Sequence, residues 1–252
     1  MADKDNAHVG HRQRMKSRLL RDGLDGFGSH EVLEVLLYYA LPYRDTNELG
    51  HRLVERFGSL RGVLEAEYAD LIRLEGITPH VATLIVYCGQ LARRYMREQY
   101  EVGRLLYTVE DYGNCVLPWF VGEKVESVVL VSMDNRCRVL NTTRIFTGSV
   151  NSTQFSFRGV VQQALQDNAT QIVLAHNHPS GHACFSKADV ATTMRCIEVL
   201  APLNIRLADH LVVSEDDYVS MASTPELAEL FDKHPLPRLT GKVADGSDRS
   251  AE

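Results

Sequence analysis

The chain has 252 residues, with 27 Lys plus Arg against 33 Asp plus Glu and a formal net charge of −6. Residues 1–100 carry 14 basic and 14 acidic residues, so the acidic surplus lies in the remainder; this balance excludes a protein that coats nucleic acid by bulk charge, while leaving room for a local patch. No stretch approaches the roughly 18 consecutive apolar residues of a membrane helix, and the opening MADKDNAHVGHRQRMKSR lacks the apolar centre of a secretory signal, so a cytoplasmic protein without membrane contact is expected.

In chain order, HRQRMKSRLLR (His11–Arg21) places six basic residues on a short predicted helix, as a solvated face or as a phosphate-binding arm. SHEVLEVLLYYAL has Ser29 to cap a helix, acidic residues in its first turn, apolar residues at helical spacing, and Pro42 to stop it. DTNELGHRLVERFGSL repeats the pattern, with Asp45 or Thr46 as cap, an apolar stripe of Leu49, Leu53, Val54 and Phe57, and Gly58 at the end. LIRLEGITPHVATLIVYCGQLARRY reads as a short helix, a Gly76-Ile77-Thr78-Pro79 turn and a long helix. This pair resembles a helix-hairpin-helix, whose turn presents backbone amides to a DNA phosphate, although the family's second turn glycine is Thr78 here. The resemblance implies DNA contact through residues 8–100; the same residues also read as a packing or protein-docking pair.

Near Val102 the texture changes to β-branched runs. VESVVLVSMD and RCRVLNTTRIF predict two strands joined by a turn at Asp134-Asn135. After a Thr147-Gly148-Ser149 loop, SFRGVVQQALQDN predicts a helix with Val160, Val161, Ala164 and Leu165 on one face. QIVLAHNH then predicts a buried strand, KADVATTMRCIEVL (residues 187–200) a helix, and IRLADHLVVS a further strand. Trp119 and Phe120, beside Pro118, are expected in the core. The expected fold is α+β: a helical domain over 1–101, a mixed sheet sandwiched by helices over 102–225, and a flexible tail over 226–252 that is rich in Pro, Gly, Ser and charge.

The densest chemical signal is HNHPSGHACFSKAD, from His176 to Asp189. His176 and His178 stand two apart at a strand exit, where alternate side chains point the same way. A Pro179-Ser180-Gly181 turn leads into a helix that carries Asp189 in its first turn and can fold back over the histidines. Two imidazoles and one carboxylate suit Zn²⁺ and leave a fourth tetrahedral position open, the mark of a catalytic site. Zinc lowers the pKa of water to about 7, but a carboxylate must still accept the proton and deliver it to a leaving amine. Glu126, a charge at the edge of an apolar run, is the candidate, with Glu123 as the near alternative. The five cysteines (Cys88, Cys115, Cys137, Cys184, Cys196) form no C-x-x-C pair, so reduced thiols are expected, and with no H-x-E/P-C-x-x-C signature a cytidine deaminase is excluded.

His176-x-His178-Pro179, Ser186-x-x-Asp189 and an upstream Glu126 resemble the JAMM motif of MPN+ metalloproteases, and HNHPSG with ALQDNATQIVLA and ADHLVVS resembles the bacterial RadC-like branch of that family. HRLVERFGSLRGVLEA is similar to the helical region that precedes the JAMM domain in that branch, so the likeness spans roughly residues 8–222. It implies a cytidine-deaminase-like fold, zinc on His176, His178 and Asp189, Glu126 as general acid and base, Ser186 as a donor to the oxyanion, and a peptide or protein substrate. The chain departs from relatives at His182-Ala183-Cys184-Phe185, where acidic and proline residues are common, and at Phe157-Arg158-Gly159, where Pro-Arg-Glu is usual. His182 and Cys184 are read as loop residues or an extra ligand, and Asp209 and His210 as strand closure or a support for the ligands.

Overall fold

The computed structural model describes residues 2–148, 156–178, 183–214 and 217–232, with side chains from residue 10 onward. The chain forms two compact units, Met1–Met96 and Arg97–Glu252, a division slightly before the boundary expected at 101. The first is helical: α1 (Ala2–Asp22), α2 (Ser29–Ala40), α3 (Asn47–Phe57), α4 (Leu60–Leu64), α5 (Tyr68–Leu71) and α6 (Pro79–Glu98). Its core is built from Leu33, Leu37, Leu53, Leu71, Val81 and Ile85, the apolar stripes of α2, α3, α5 and α6.

The caps differ in detail from those expected. Gly28, not Ser29, precedes α2, and the Glu31 carboxylate accepts the Gly28 N–H at 2.8 Å. Thr46 stands at the start of α3, yet it is Asp45 whose carboxylate accepts the Asn47 N–H at 3.0 Å, because the Thr46 hydroxyl donates to the Glu34 carbonyl instead. Gly58 closes α3 as expected, at φ +83°. Part of the basic segment of α1 is committed internally: the Arg12 guanidinium donates to the carbonyls of Leu41, Pro42 and Arg44 beyond the end of α2, and His11 meets the buried Glu34 carboxylate, which also accepts from Tyr38 and Asn47. In the turn between α5 and α6, Gly76 has φ +89°. There the Thr78 hydroxyl accepts the Val81 N–H at 3.3 Å, so an amide that a helix-hairpin-helix turn offers to phosphate is bonded within the turn.

The second unit contains α7 (Val109–Val116), a 3-10 turn (Leu117–Trp119), β1 (Ser127–Met133), β2 (Val139–Thr147), α8 (Phe157–Gln166), β3 (Gln171–Asn177), α9 (Lys187–Leu200), β4 (Arg206–Val213), β5 (Tyr218–Ser220) and α10 (Pro225–Asp232). The strands form one mixed sheet in the order β2-β1-β3-β4-β5, with β3 and β4 parallel and the other pairs antiparallel. Strand alternation sorts the apolar residues onto two faces. Val128, Leu130, Ile172 and Leu174 pack with Val160 and Ala164 of α8, Cys196 and Leu200 of α9 and Phe231 of α10. Val129, Val131, Val173 and Ala175 pack with Cys115 and Val116 of α7 and with Phe120. Burial on both sides is why β1 and β3 read as unbroken apolar runs.

The fold is therefore the expected α+β arrangement, with local corrections. The hairpin turn spans Asp134 to Arg138 rather than two residues, because the Asp134 carboxylate accepts the N–H groups of Arg136 and Arg138 and Cys137 takes φ +61°. Leu165 is 53% exposed, so the buried face of α8 is Val160 and Ala164. The flexible tail expected from 226 begins instead as α10, held by Phe231, 4% exposed, in the sheet's helix-covered face; the rest of the expected tail and the Ser149 end of the loop before α8 lie outside the described residues. Phe120 is buried, and the half-buried Trp119 ring lies 4.5 Å beneath the Arg97 guanidinium. Among the described residues no helix is long and apolar enough to cross a membrane.

Candidate metal centre

The last residues of β3 set the site. In the antiparallel pairing of β1 with β3, Val128 faces His176. Continuing that register past both strand ends brings Glu126, two residues earlier on β1, toward His178, two residues later on β3. The His178 N–H donates to the Val213 carbonyl at 2.9 Å, which keeps its backbone in line with β4. The side chain between the two histidines points to the other face. Asn177, 4% exposed, accepts the Ser127 N–H at 2.7 Å and the Ser127 hydroxyl at 3.2 Å, and donates to the Val125 carbonyl at 3.1 Å. One amide thus grips the residues on either side of Glu126, and the Glu126 carbonyl accepts the Gly148 N–H at 2.9 Å.

Asp189 arrives on the first turn of α9. Ser186 is the N-cap: its hydroxyl accepts the Asp189 N–H at 3.2 Å and donates to Asp189 Oδ2 at 2.7 Å, and its own N–H donates to the same oxygen at 2.6 Å. The capping box leaves Oδ1 to face His176. The JAMM resemblance assigns this serine to an oxyanion; in this structure its hydroxyl and its amide are both bonded to the Asp189 carboxylate.

The three candidate ligands converge, with one donor atom from each within 4.8 Å of the others. His176 Nε2 lies 3.1 Å from His178 Nε2 and 3.3 Å from Asp189 Oδ1, and His178 Nε2 lies 3.8 Å from Asp189 Oδ2. Ligands about 2.0–2.1 Å from a tetrahedral zinc ion stand about 3.3 Å apart, so the two edges that meet at His176 match that spacing, while His178 and Asp189 stand wider apart. His176 is buried, whereas the His178 and Asp189 side chains remain 24% and 17% exposed, which leaves one side of the triangle open.

Electrostatics favour cation binding here. Burial raises the Asp189 carboxyl, but the adjoining His176 and the bonds from the Ser186 amide and hydroxyl outweigh it, so the group sits below the usual carboxylate range and stays ionised. Burial, then the neighbouring His176, depress His178, while Asp189 and Glu126 act the other way; the net result is a neutral imidazole with a free lone pair at physiological pH. That Glu126 registers on His178 places its charge next to the cluster. Glu123, the alternative base, is paired with Arg144 at 2.9 Å.

Asp209 and His210, adjacent in sequence, part company. Asp209 accepts from the Ser220 hydroxyl at 2.6 Å and from the N–H groups of His210 and Ala222, joining β4 to β5 and the turn after it. His210 lies under the cluster, with Nε2 at 2.9 Å from His176 Nδ1, and burial takes its pKa down to about 3. The sequence left His210 open between strand closure and a support for the ligands, and it passed over Asn177, whose signal was its position between two ligands. Cys184 is exposed, and all five cysteines are free of disulfides; Pro179 to His182 lie outside the described residues. Residues 106–227 match the model of a protein family described as the RadC-like JAB domain.

Proposed function

We propose that this member of the RadC-like JAB-domain family is a zinc-dependent hydrolase of peptide or isopeptide bonds, working at His176, His178, Asp189 and Glu126. The observation that carries the reading is the half-open triangle of two imidazole nitrogens and one carboxylate oxygen with edges of 3.1 and 3.3 Å at His176, set beside an acid on the next strand. Zinc held there by His176 Nε2, His178 Nε2 and Asp189 Oδ1 would supply Lewis acidity to a water molecule and to a carbonyl.

The remaining work falls to the chain's own groups. The Glu126 carboxylate accepts the proton that water gives up as its oxygen adds to the carbonyl carbon, then returns it to the nitrogen as the C–N bond breaks. Asn177 fixes the main chain on both sides of Glu126, and Ser186 holds the Asp189 carboxylate in its ligand orientation. A cytoplasmic location belongs to the same proposal and is supported by the unpaired thiols.

The test is hydrolysis of peptide and isopeptide libraries by the full chain, with and without chelator. Chelation is expected to abolish turnover, and Glu126→Gln to lower it by about 10²–10⁴-fold while zinc content is unchanged. Turnover indifferent to both treatments refutes the assignment.

A further inference from the structure

We propose that His210 is a positioning residue for this centre, selecting the tautomer of His176 whose Nε2 carries a lone pair, through a hydrogen-bond chain that ends on Thr193 of α9. The inference rests on the zinc reading above and adds to it what makes His176 a competent ligand.

His210 reaches His176 because β4 is irregular. Ile172 faces Leu207 in the parallel pairing, but Val173 faces Asp209, so Ala208 is an extra residue in the strand. In a regular strand that took Ala208 into the ladder, strict alternation would put Leu207, Asp209 and Leu211 on one face. With Ala208 outside the pairing, Leu207 and Val212 share the helix-covered face, and Leu211 and Val213 join the opposite one. The bulge therefore turns His210 toward the face that carries His176, the re-aiming of a side chain that such irregularities perform beside functional sites.

The direction of the chain follows from the lone pair that zinc needs on His176 Nε2. The Thr193 hydroxyl has two acceptors besides His210, the Asp189 carbonyl oxygen at 2.7 Å and Met221 Sδ at 3.2 Å, so its proton has a place away from the ring. Thr193 is one helical turn beyond Asp189, the spacing at which a threonine bonds back to the preceding turn. Its oxygen also lies 2.6 Å from His210 Nδ1; with the hydroxyl proton directed at the Asp189 carbonyl, that oxygen accepts, and His210 Nδ1 is the protonated nitrogen. His210 is 4% exposed, and no carboxylate is among the hydrogen-bond partners of its ring nitrogens; a neutral ring protonated at Nδ1 leaves Nε2 as an acceptor. At 2.9 Å, His176 Nδ1 must then be the donor. A neutral His176 protonated at Nδ1 has its lone pair on Nε2, the atom that faces His178 Nε2 and Asp189 Oδ1. Without an acceptor at His210 Nε2, the imidazole has no reason to prefer this tautomer over the one that cannot ligate through Nε2.

The measurement is zinc affinity of the full chain by competition with a chromophoric chelator, for wild type, His210→Leu, His210→Gln and Thr193→Val. Leucine removes the acceptor, and a loss of affinity of about 10- to 100-fold is expected, the usual effect of deleting the partner of a ligating histidine. Glutamine can place an amide oxygen near the lost Nε2 and an N–H near Thr193, so it is expected to rescue most of that loss; Thr193→Val, which touches no ligand nitrogen, is expected to weaken zinc as well. Leucine binding as tightly as wild type, or glutamine falling as far as leucine, overturns the proposal. Should the leucine variant not fold, the tautomers are read directly in metal-free wild type by long-range ¹H–¹⁵N correlation of the imidazoles. Protons on Nδ1 of both His176 and His210 support the chain, and a proton on His176 Nε2 refutes it. Wild type that takes up no zinc would remove the hydrolase reading instead, while the tautomer spectrum still decides the role of His210.

Discussion

Asn177→Ala is the sharpest probe of how the site is held. The amide makes three bonds, to the Ser127 N–H, the Ser127 hydroxyl and the Val125 carbonyl. Val125 is 48% exposed and its carbonyl can be rehydrated, but Ser127 is fully buried. Alanine therefore strands two buried donors, each costing about 1–3 kcal/mol, for a loss of about 2–6 kcal/mol. For a unit of this size each kcal/mol moves the melting temperature by about 2–4 °C, so a fall of about 4–24 °C is expected. Trp119 is the sole tryptophan and lies in this unit, so its fluorescence during urea or thermal unfolding reports on the unit directly. Asn177→Asp keeps the acceptor for Ser127 and loses only the bond to Val125, so it should recover part of the stability. Zinc affinity should change little in either variant, since no ligand is touched, while turnover should fall as Glu126 loses its anchored flanks. A stability of Asn177→Ala within about 0.5 kcal/mol of wild type, the range of an ordinary surface change, or aspartate no better than alanine, refutes the clamp.

Zinc at about 100 times its dissociation constant is expected to stabilise the second unit by about 2.7 kcal/mol, raising the Trp119-reported melting point reversibly with chelator, and to do nothing for His178→Ala; equal shifts in both proteins contradict the site. In metal-free protein, the unfolded chain protonates His210 below about 6.5 whereas the folded chain resists until about 3. Stability is thus complete above pH 6.5 and declines as pH falls through that window, by up to about 1.4 kcal/mol per unit, and His210→Gln should flatten the slope of urea midpoints measured from pH 7 to 4. Gly89→Ala would bring a Cβ to 2.1 Å from the Leu64 carbonyl; α6 must then shift away from α4, and faster amide hydrogen exchange across residues 29–96 is the expected readout. Gly159→Ala meets nothing within 4 Å on α8 and should stabilise by about 0.5–1 kcal/mol in the same unfolding assay.

The parts of the molecule legible in the residue pattern are those where one local rule governs. β3 and α9 came out at their expected positions because an apolar run and a Ser-x-x-Asp capping box each determine an element over a few residues. His176, His178 and Asp189 could be grouped because strand alternation and the first helical turn suffice to bring them together. Where two groups compete for one job, the pattern did not decide between them: Glu31 supplies the bond expected of Ser29, and of the two candidates Asp45 and Thr46 it is Asp45 that accepts the Asn47 N–H. Asn177 looked like a spacer, since its partners lie fifty residues away in β1. α10 was hidden because Phe231 finds its place only once the sheet exists to receive it.

The extra residue at Ala208 divides β4 into two stretches of opposite parity. Excising Ala208 would shorten the chain by one peptide unit and rejoin those stretches in phase. Both would keep the faces they have now. Taking Ala208 into the ladder opposite Val173 is what would turn over the segment beginning at His210, sending an imidazole into the oil of α7 and lifting Leu211 beneath the histidines. A ligand support and a hydrophobic seat thus depend on one alanine staying outside the pairing, and a comparison that aligns only the metal-binding residues would overlook it.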